Sequence, residues 1–88
     1  MQITVKLIGH LVDLVPAGGP LGPRPRGLKM LDVADDYDLR ALLRHLGLQP
    51  DLEYFAMINE EHVPADALAT RALVPGDAVV LLPPLKGG

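Results

Sequence analysis

The sequence predicts an α+β fold in which a sheet of four to five strands is covered on one face by one main helix. Apolar and polar residues alternate along residues 1–8, as in a half-buried strand. Leucines recur at helical spacing over residues 39–46, and an apolar run of strand composition fills residues 78–82. A chain of 88 residues forms a single small domain, so these elements must share one core.

The composition excludes several kinds of function. With no cysteine, the chain has no disulfide, thiolate nucleophile or thiolate metal site, and it cannot handle sulfur through its own thiol. A net charge of -3 argues against nucleic acid as a partner. No apolar run approaches membrane-spanning length, and the first residues read as a strand rather than a signal peptide. We therefore expect a cytoplasmic protein without a membrane partner.

The amino-terminal third predicts two antiparallel strands, residues 1–8 and 28–33, separated by an irregular segment. Residues 10–15 fit either an extension of the first strand or a short turn of helix. Residues 16–27 are so rich in glycine and proline that we expect a flexible loop insert. A phosphate cradle anchored by Arg24 and Arg26 is a weaker alternative, because the segment lacks a phosphate-binding glycine motif.

The main helix is predicted over Leu39–Leu46, with its leucines on one face. Asp38 is placed to cap its first turn, and Gly47 to end it in a left-handed conformation. Asp35, Asp36 and Asp38 are conceivable metal ligands. Acidic residues at this position more often complement the helix dipole, so we predict no metal site.

The carboxyl-terminal half predicts the remaining strands. Residues 54–58 form the third strand, 59–60 its turn and 62–63 a short edge strand, and residues 65–73 are a connection with one helical turn. Pro75 and Gly76 fit a type II turn that leads into the last strand, residues 78–82.

Alternation along the third and last strands separates their side chains into two sets. If Ala56, Ile58, Val79 and Leu81 face the helix, an apolar patch lies on the open face of the sheet, made of Phe55, Met57, Val80 and Leu82. A patch of this kind marks a binding surface for a partner, unless long loops cover it.

The last six residues predict a tail beyond the folded domain of residues 1–82. Pro83 and Pro84 stop the last strand, because proline cannot donate to a ladder. Leu85, Lys86, Gly87 and Gly88 then extend the chain. Glycine has no Cβ, so such an end can thread a narrow channel. Such an end suits a Gly88 carboxylate that is itself a reactant, with residues 83–87 in contact with a partner, while a flexible end without a function is the alternative.

Residues 73–88, with their Gly-Asp turn, last strand, Pro-Pro stop and terminal Gly-Gly, resemble the end of the MoaD/ThiS sulfur-carrier family. The Leu-Leu-x-x-Leu-Gly helix end at residues 42–47 is similar to that family too. Glu60 departs from it, since the family often has glycine there. The resemblance implies a ubiquitin-like β-grasp fold with a mixed sheet.

The resemblance also implies a function. A ubiquitin-activating-type enzyme would use ATP to adenylate the Gly88 carboxylate, which would then become a thiocarboxylate. A sulfur-accepting synthase subunit would receive the sulfur, in molybdopterin or thiamine-thiazole synthesis, and the chain would resemble the small subunit of molybdopterin synthase. This chain would bind no cofactor and have no autonomous active site. Two alternatives stay open: a protein modifier conjugated through Gly88, and a non-reactive interaction module.

Overall fold

Five strands and one α-helix make up the fold in a computed structural model, which describes residues 1–48 and 55–83. The elements in chain order are β1 (Gln2–Leu7), a 3₁₀-helix (Gly9–Asp13), β2 (Lys29–Asp32), α1 (Leu39–Leu46), β3 (Phe55–Ile58), β4 (Glu61–Val63), a second 3₁₀-helix (Ala65–Ala67) and β5 (Ala78–Leu82). The strands lie in the order β2-β1-β5-β3-β4. Only the β1–β5 pair is parallel among the described strands, so the sheet is mixed. The predicted fold class is confirmed.

The bounds predicted for α1 are confirmed because both of its ends are set by local chemistry. Asp38 Oδ1 accepts a hydrogen bond from the Ala41 backbone nitrogen at 2.7 Å, which satisfies one of the free donors of the first turn. At the other end Gly47 has a φ of 84°, and Leu48 donates back to the Leu43 carbonyl at 3.0 Å. This pair of features ends the helix in a left-handed turn that glycine adopts without strain.

The core lies between α1 and one face of the sheet. The four leucines of α1 are each at most 1% exposed. They face side chains that alternate along the strands, namely Ile3, Val5, Leu7, Ala56, Ile58, Val79 and Leu81. Burying an aliphatic side chain contributes about 1.5–3 kcal/mol, so this layer makes a large contribution to stability. In the part of the chain that the structure describes, no helix is long and apolar enough to cross a membrane.

The glycine- and proline-rich segment between β1 and β2 is anchored at several points. It begins after the 3₁₀-helix, which settles the choice left open for residues 10–15. Its apolar residues Leu21 and Pro25 are buried, as is Val15 just before it. Pro16 packs so tightly on the end of α1 that a Cβ at Gly47 would lie 2.6 Å from its Cδ.

Arg24, one of the two arginines of the weaker phosphate-cradle alternative, pairs with Asp13 (Nε–Oδ1 3.1 Å). Flexibility of the segment stays a prediction. Limited proteolysis after the exposed Arg26 would test it.

The end of the sheet at which β5 begins is closed by a buried polar network. Asp77 is 1% exposed, and its carboxylate accepts from Asn59 Nδ2 at 2.8 Å and from the Val74 nitrogen at 2.9 Å. Asn59 Oδ1 in turn accepts from the Ala78 nitrogen at 2.9 Å. Asn59 thus ties the β3–β4 turn to β5, and the buried carboxylate has the hydrogen bonds that its burial requires.

The amino group of Met1 is held at the same end of the sheet. It donates to the Val33 carbonyl at 2.7 Å and lies 3.1 Å from Asp35 Oδ1 and 3.2 Å from Asp32 Oδ1. The hydrogen bonds that it donates to Asp35 and then to Asp32 raise the pKa of this group above its ordinary value of 8.0.

Candidate functional site

The open face of the sheet carries the predicted apolar patch. Phe55 pairs with Leu82 and Met57 with Val80 across β3 and β5. Directly paired residues point to the same face, so these four side chains are neighbours. We call them the open-face patch. The neighbouring Ala56 and Val79 are fully buried on the other face, so the predicted separation of the two sets is confirmed.

The open-face patch is half-buried rather than fully exposed. The buried core, with the four leucines of α1, lies on the other face of the sheet, and neighbouring side chains cover part of the patch. The most visible case is Phe55, whose ring stacks on that of His62 with centroids 4.3 Å apart and an interplanar angle of 17°. The role of the patch as a binding surface stays a prediction.

Two polar side chains border the patch in one row across four strands. Lys6 on β1 pairs with Val80, Val80 pairs with Met57, and Met57 pairs with His62 on β4. Lys6 is half-buried, whereas His62 is exposed. Sequence reasoning placed neither residue at the patch. Their positions beside the patch follow from the parallel pairing of β1 with β5 and from the register of the β3–β4 hairpin.

The chain leaves the sheet beside the patch. Leu82 is the last residue of β5, a strand with neighbours on both sides, and Pro83 follows it half-buried. A Cβ on Gly9 would lie 3.4 Å from Pro83 Cγ, so the root of the tail runs past the end of β1. Residues 84–88 lie outside the described residues, namely Pro84, Leu85, Lys86, Gly87 and Gly88, as do residues 49–54, which include Tyr54 of the predicted third strand.

The described residues contain few other candidate functional groups. Residues 1–48 and 55–83 contain no group of three or more histidine, aspartate or glutamate side chains that could hold a metal ion. The buried carboxylate of Asp77 is already satisfied by the turn that it braces. Within this part of the chain, what the fold offers is a patch and a chain end that leaves next to it.

With its mixed sheet and single α-helix, this combination is that of a ubiquitin-like β-grasp domain. The model of the ThiS family matches residues 26–88, which is most of the chain. The chain therefore belongs to the ThiS family, and this membership supports the role of a ubiquitin-like sulfur carrier. Among curated proteins, none matches the chain significantly by sequence.

Solved structures show the same fold. SAMP1 from Haloferax volcanii has a TM-score of 0.63 at 20% identity, with 100% of each chain covered. Urm1 from Trypanosoma brucei has a TM-score of 0.66 at 20% identity, covering 99% of this chain and 95% of that one. The complex of subunits 1 and 2 of molybdopterin-converting factor from Helicobacter pylori contains a chain with a TM-score of 0.56 at 24% identity, with both chains fully covered.

Proposed function

We propose that this protein carries sulfur as a thiocarboxylate on Gly88. Membership of the ThiS family is the observation that carries the proposal. It is supported by the position of the last residue of β5, Leu82, which lies on a central strand of the sheet within the apolar patch.

The chemistry requires an activating enzyme. A terminal carboxylate has an ordinary pKa of about 3.5, so it is ionised at neutral pH and is a poor electrophile. Adenylation by ATP, with release of pyrophosphate, converts it into a mixed anhydride. The terminal sulfur of a persulfide then displaces AMP, and a thiol cleaves the S–S bond to leave the thiocarboxylate. In this proposal a ubiquitin-activating-type enzyme binds the ATP.

The sulfur would next pass to an acceptor bound by a second partner. The Helicobacter pylori relative in fold was solved as a complex of subunit 1 with subunit 2. By analogy, the open-face patch of this chain docks on a synthase subunit while residues 83–87 lead Gly88 into its active site. The product would be a sulfur-containing cofactor of the molybdopterin or thiamine-thiazole type.

The test is intact-protein mass spectrometry after incubation with ATP, the adenylating enzyme from the same genome and a persulfide donor. Wild type should exchange one terminal oxygen for sulfur. Deleting Gly88, or adding one residue after it, moves the carboxyl carbon by about 3.5 Å. A displacement of about 1 Å can already cost about a hundredfold in rate, so both variants should stay unmodified.

Two controls make this test specific. Gly87→Val keeps the length of the tail but adds a branched side chain, and it should block entry to a narrow channel. The melting temperature of all three variants should match that of wild type if the tail contributes nothing to the core. Sulfur uptake by the extended protein would refute the proposal.

The alternatives give different products. A modifier would yield a ladder of isopeptide-linked conjugates that is lost with Gly88. An interaction module would keep full activity without Gly87 and Gly88.

A further inference from the structure

Lys6 occupies an unusual position for a lysine. It is half-buried on the open face and pairs directly with Val80 of the open-face patch. Thr4 and Ile8, two residues away along β1, share its face. The four ion pairs found within 4.0 Å in residues 1–48 and 55–83 do not include Lys6.

No acidic side chain of the described strands lies close to Lys6 on this face. The register places Asp32 opposite Gln2, which is four residues from Lys6 along β1. Four residues of strand span about 13 Å, too far for an ion pair. On the other side of Val80 the row continues with Met57 and His62, and neither of these side chains carries a negative charge that could pair with lysine. Among residues 1–48 and 55–83, the ammonium group of Lys6 thus has no carboxylate within 4.0 Å.

Docking of a partner on the open-face patch changes the surroundings of Lys6. A partner that covers Val80 and Met57 also removes water from Lys6, because Lys6 and Val80 are cross-strand neighbours. Burying an ammonium group without a counter-ion is costly, and pairing it with a carboxylate offsets that cost. The charge thus selects against a purely apolar partner surface.

We propose that Lys6 is a specificity determinant of the docking surface and that it requires a carboxylate set among apolar side chains on the partner protein. This inference rests on the proposed function, in which a ubiquitin-activating-type enzyme adenylates Gly88, and it concerns the docking of the open-face patch on that adenylating enzyme. Lys6 pairs with Val80, which is two residues before Leu82, so the partner's carboxylate lies about 7 Å along the strand from the end of β5. It therefore borders the site where the tail enters.

The test is the affinity of the adenylating enzyme from the same genome, measured by isothermal titration calorimetry. Lys6→Met keeps the length of the side chain and removes its charge, which leaves the partner's carboxylate buried and unpaired. Loss of one member of a buried charge pair should weaken binding by about thirtyfold or more. Lys6→Arg, which keeps the charge, should bind to within a few-fold of wild type.

The chain offers a matched control in Lys29. It pairs with Val5, a core residue, so its register places it on the other face of the sheet from Lys6. Lys29→Met makes the same change in net charge on the adjacent strand. It should alter affinity by less than about twofold, since exposed charges away from the contact act mainly on the association rate.

Rescue would identify the partner's residue. Lys6→Glu should abolish binding, and a lysine in place of the facing aspartate or glutamate of the enzyme should restore it. If Lys6→Met binds as tightly as wild type, or more tightly, the inference is wrong. If Lys6→Met instead changes self-association in sedimentation experiments, the patch binds a second copy of this chain and the inference is again wrong.

The calorimetric test of Lys6 can be judged separately from the test of sulfur uptake. Sulfur uptake by wild type together with unchanged binding of Lys6→Met would overturn only the role of Lys6. Sulfur uptake by the tail-extended protein would overturn the proposed function, while the calorimetric comparison of Lys6 with Lys29 would still stand on its own.

Discussion

The two faces of the sheet use the same kinds of residue for different purposes. Leu81 and Leu82 are neighbours on β5, yet Leu81 is 0% exposed under α1 while Leu82 is half-buried on the open face. Ala56 and Phe55 show the same contrast on β3. Apolar residues on the helix face exclude water within the chain, whereas those on the open face are only partly shielded by one another. Hydrophobicity alone therefore does not distinguish a core residue from a docking residue.

Among truncations to alanine, Leu81→Ala should have the largest effect on stability. A buried leucine typically costs about 2–5 kcal/mol when truncated to alanine, because a cavity remains in the core. Leu82→Ala, one residue further along, should cost no more than about 1 kcal/mol because its side chain is already partly in water. Urea unfolding of both variants measures the difference. Equal losses would mean that the open face contributes to the core as much as the helix face does.

Phe55→Asp should separate folding from binding. Its stability loss should be near 1 kcal/mol, the order of the stacking interaction with His62, while binding to the partner should be lost. Circular dichroism with thermal melting measures the first effect, and calorimetry with the adenylating enzyme measures the second. Ala56→Asp is the control, since it places a charge in the buried layer and should unfold the protein. An unfolded Phe55→Asp variant would contradict the assignment of the two faces.

Glu60→Gly should stabilise the protein by about 1 kcal/mol. Asn59 and Glu60 have φ values of 52° and 71° in the turn that joins β3 to β4. Glutamate in this left-handed region costs about 1–2 kcal/mol, part of which glycine loses again through its greater freedom in the unfolded chain. Glu61→Gly, inside β4, should instead destabilise by about 0.5–1 kcal/mol. Denaturant midpoints that fall for both variants would show that the turn is not strained.

The smallest effect concerns pH. The pKa of the Met1 amino group is raised by Asp35 and Asp32, so its contribution is fully present below about pH 8 and is lost as pH rises through the raised value. The melting temperature should fall slightly over that window. Asp35→Asn should reduce the pH dependence without disturbing partner binding, because Asp35 follows β2 at the end of the sheet away from the tail. An unchanged pH profile in this variant would show that Asp35 does not hold the amino group in solution.

Sequence by itself determined the features that depend on neighbours along the chain. The bounds of α1 follow from Asp38, a leucine stripe and Gly47, and the two faces of β3 and β5 follow from their alternation. Gly76, with a φ of 88°, adopts the conformation that a type II turn requires at its third residue. Such features are set by steric and capping effects within a few residues, so a single sequence contains them.

Tertiary structure alone decided which distant residues meet. The parallel pairing of β1 with β5 brings Lys6 beside Val80, and the hairpin register brings His62 onto Phe55. The packing of Pro16 on Gly47 likewise joins two segments that have no local pattern in common. These contacts depend on strand order and register across the whole domain, because any apolar strand can pair with several others until the shared core selects one arrangement.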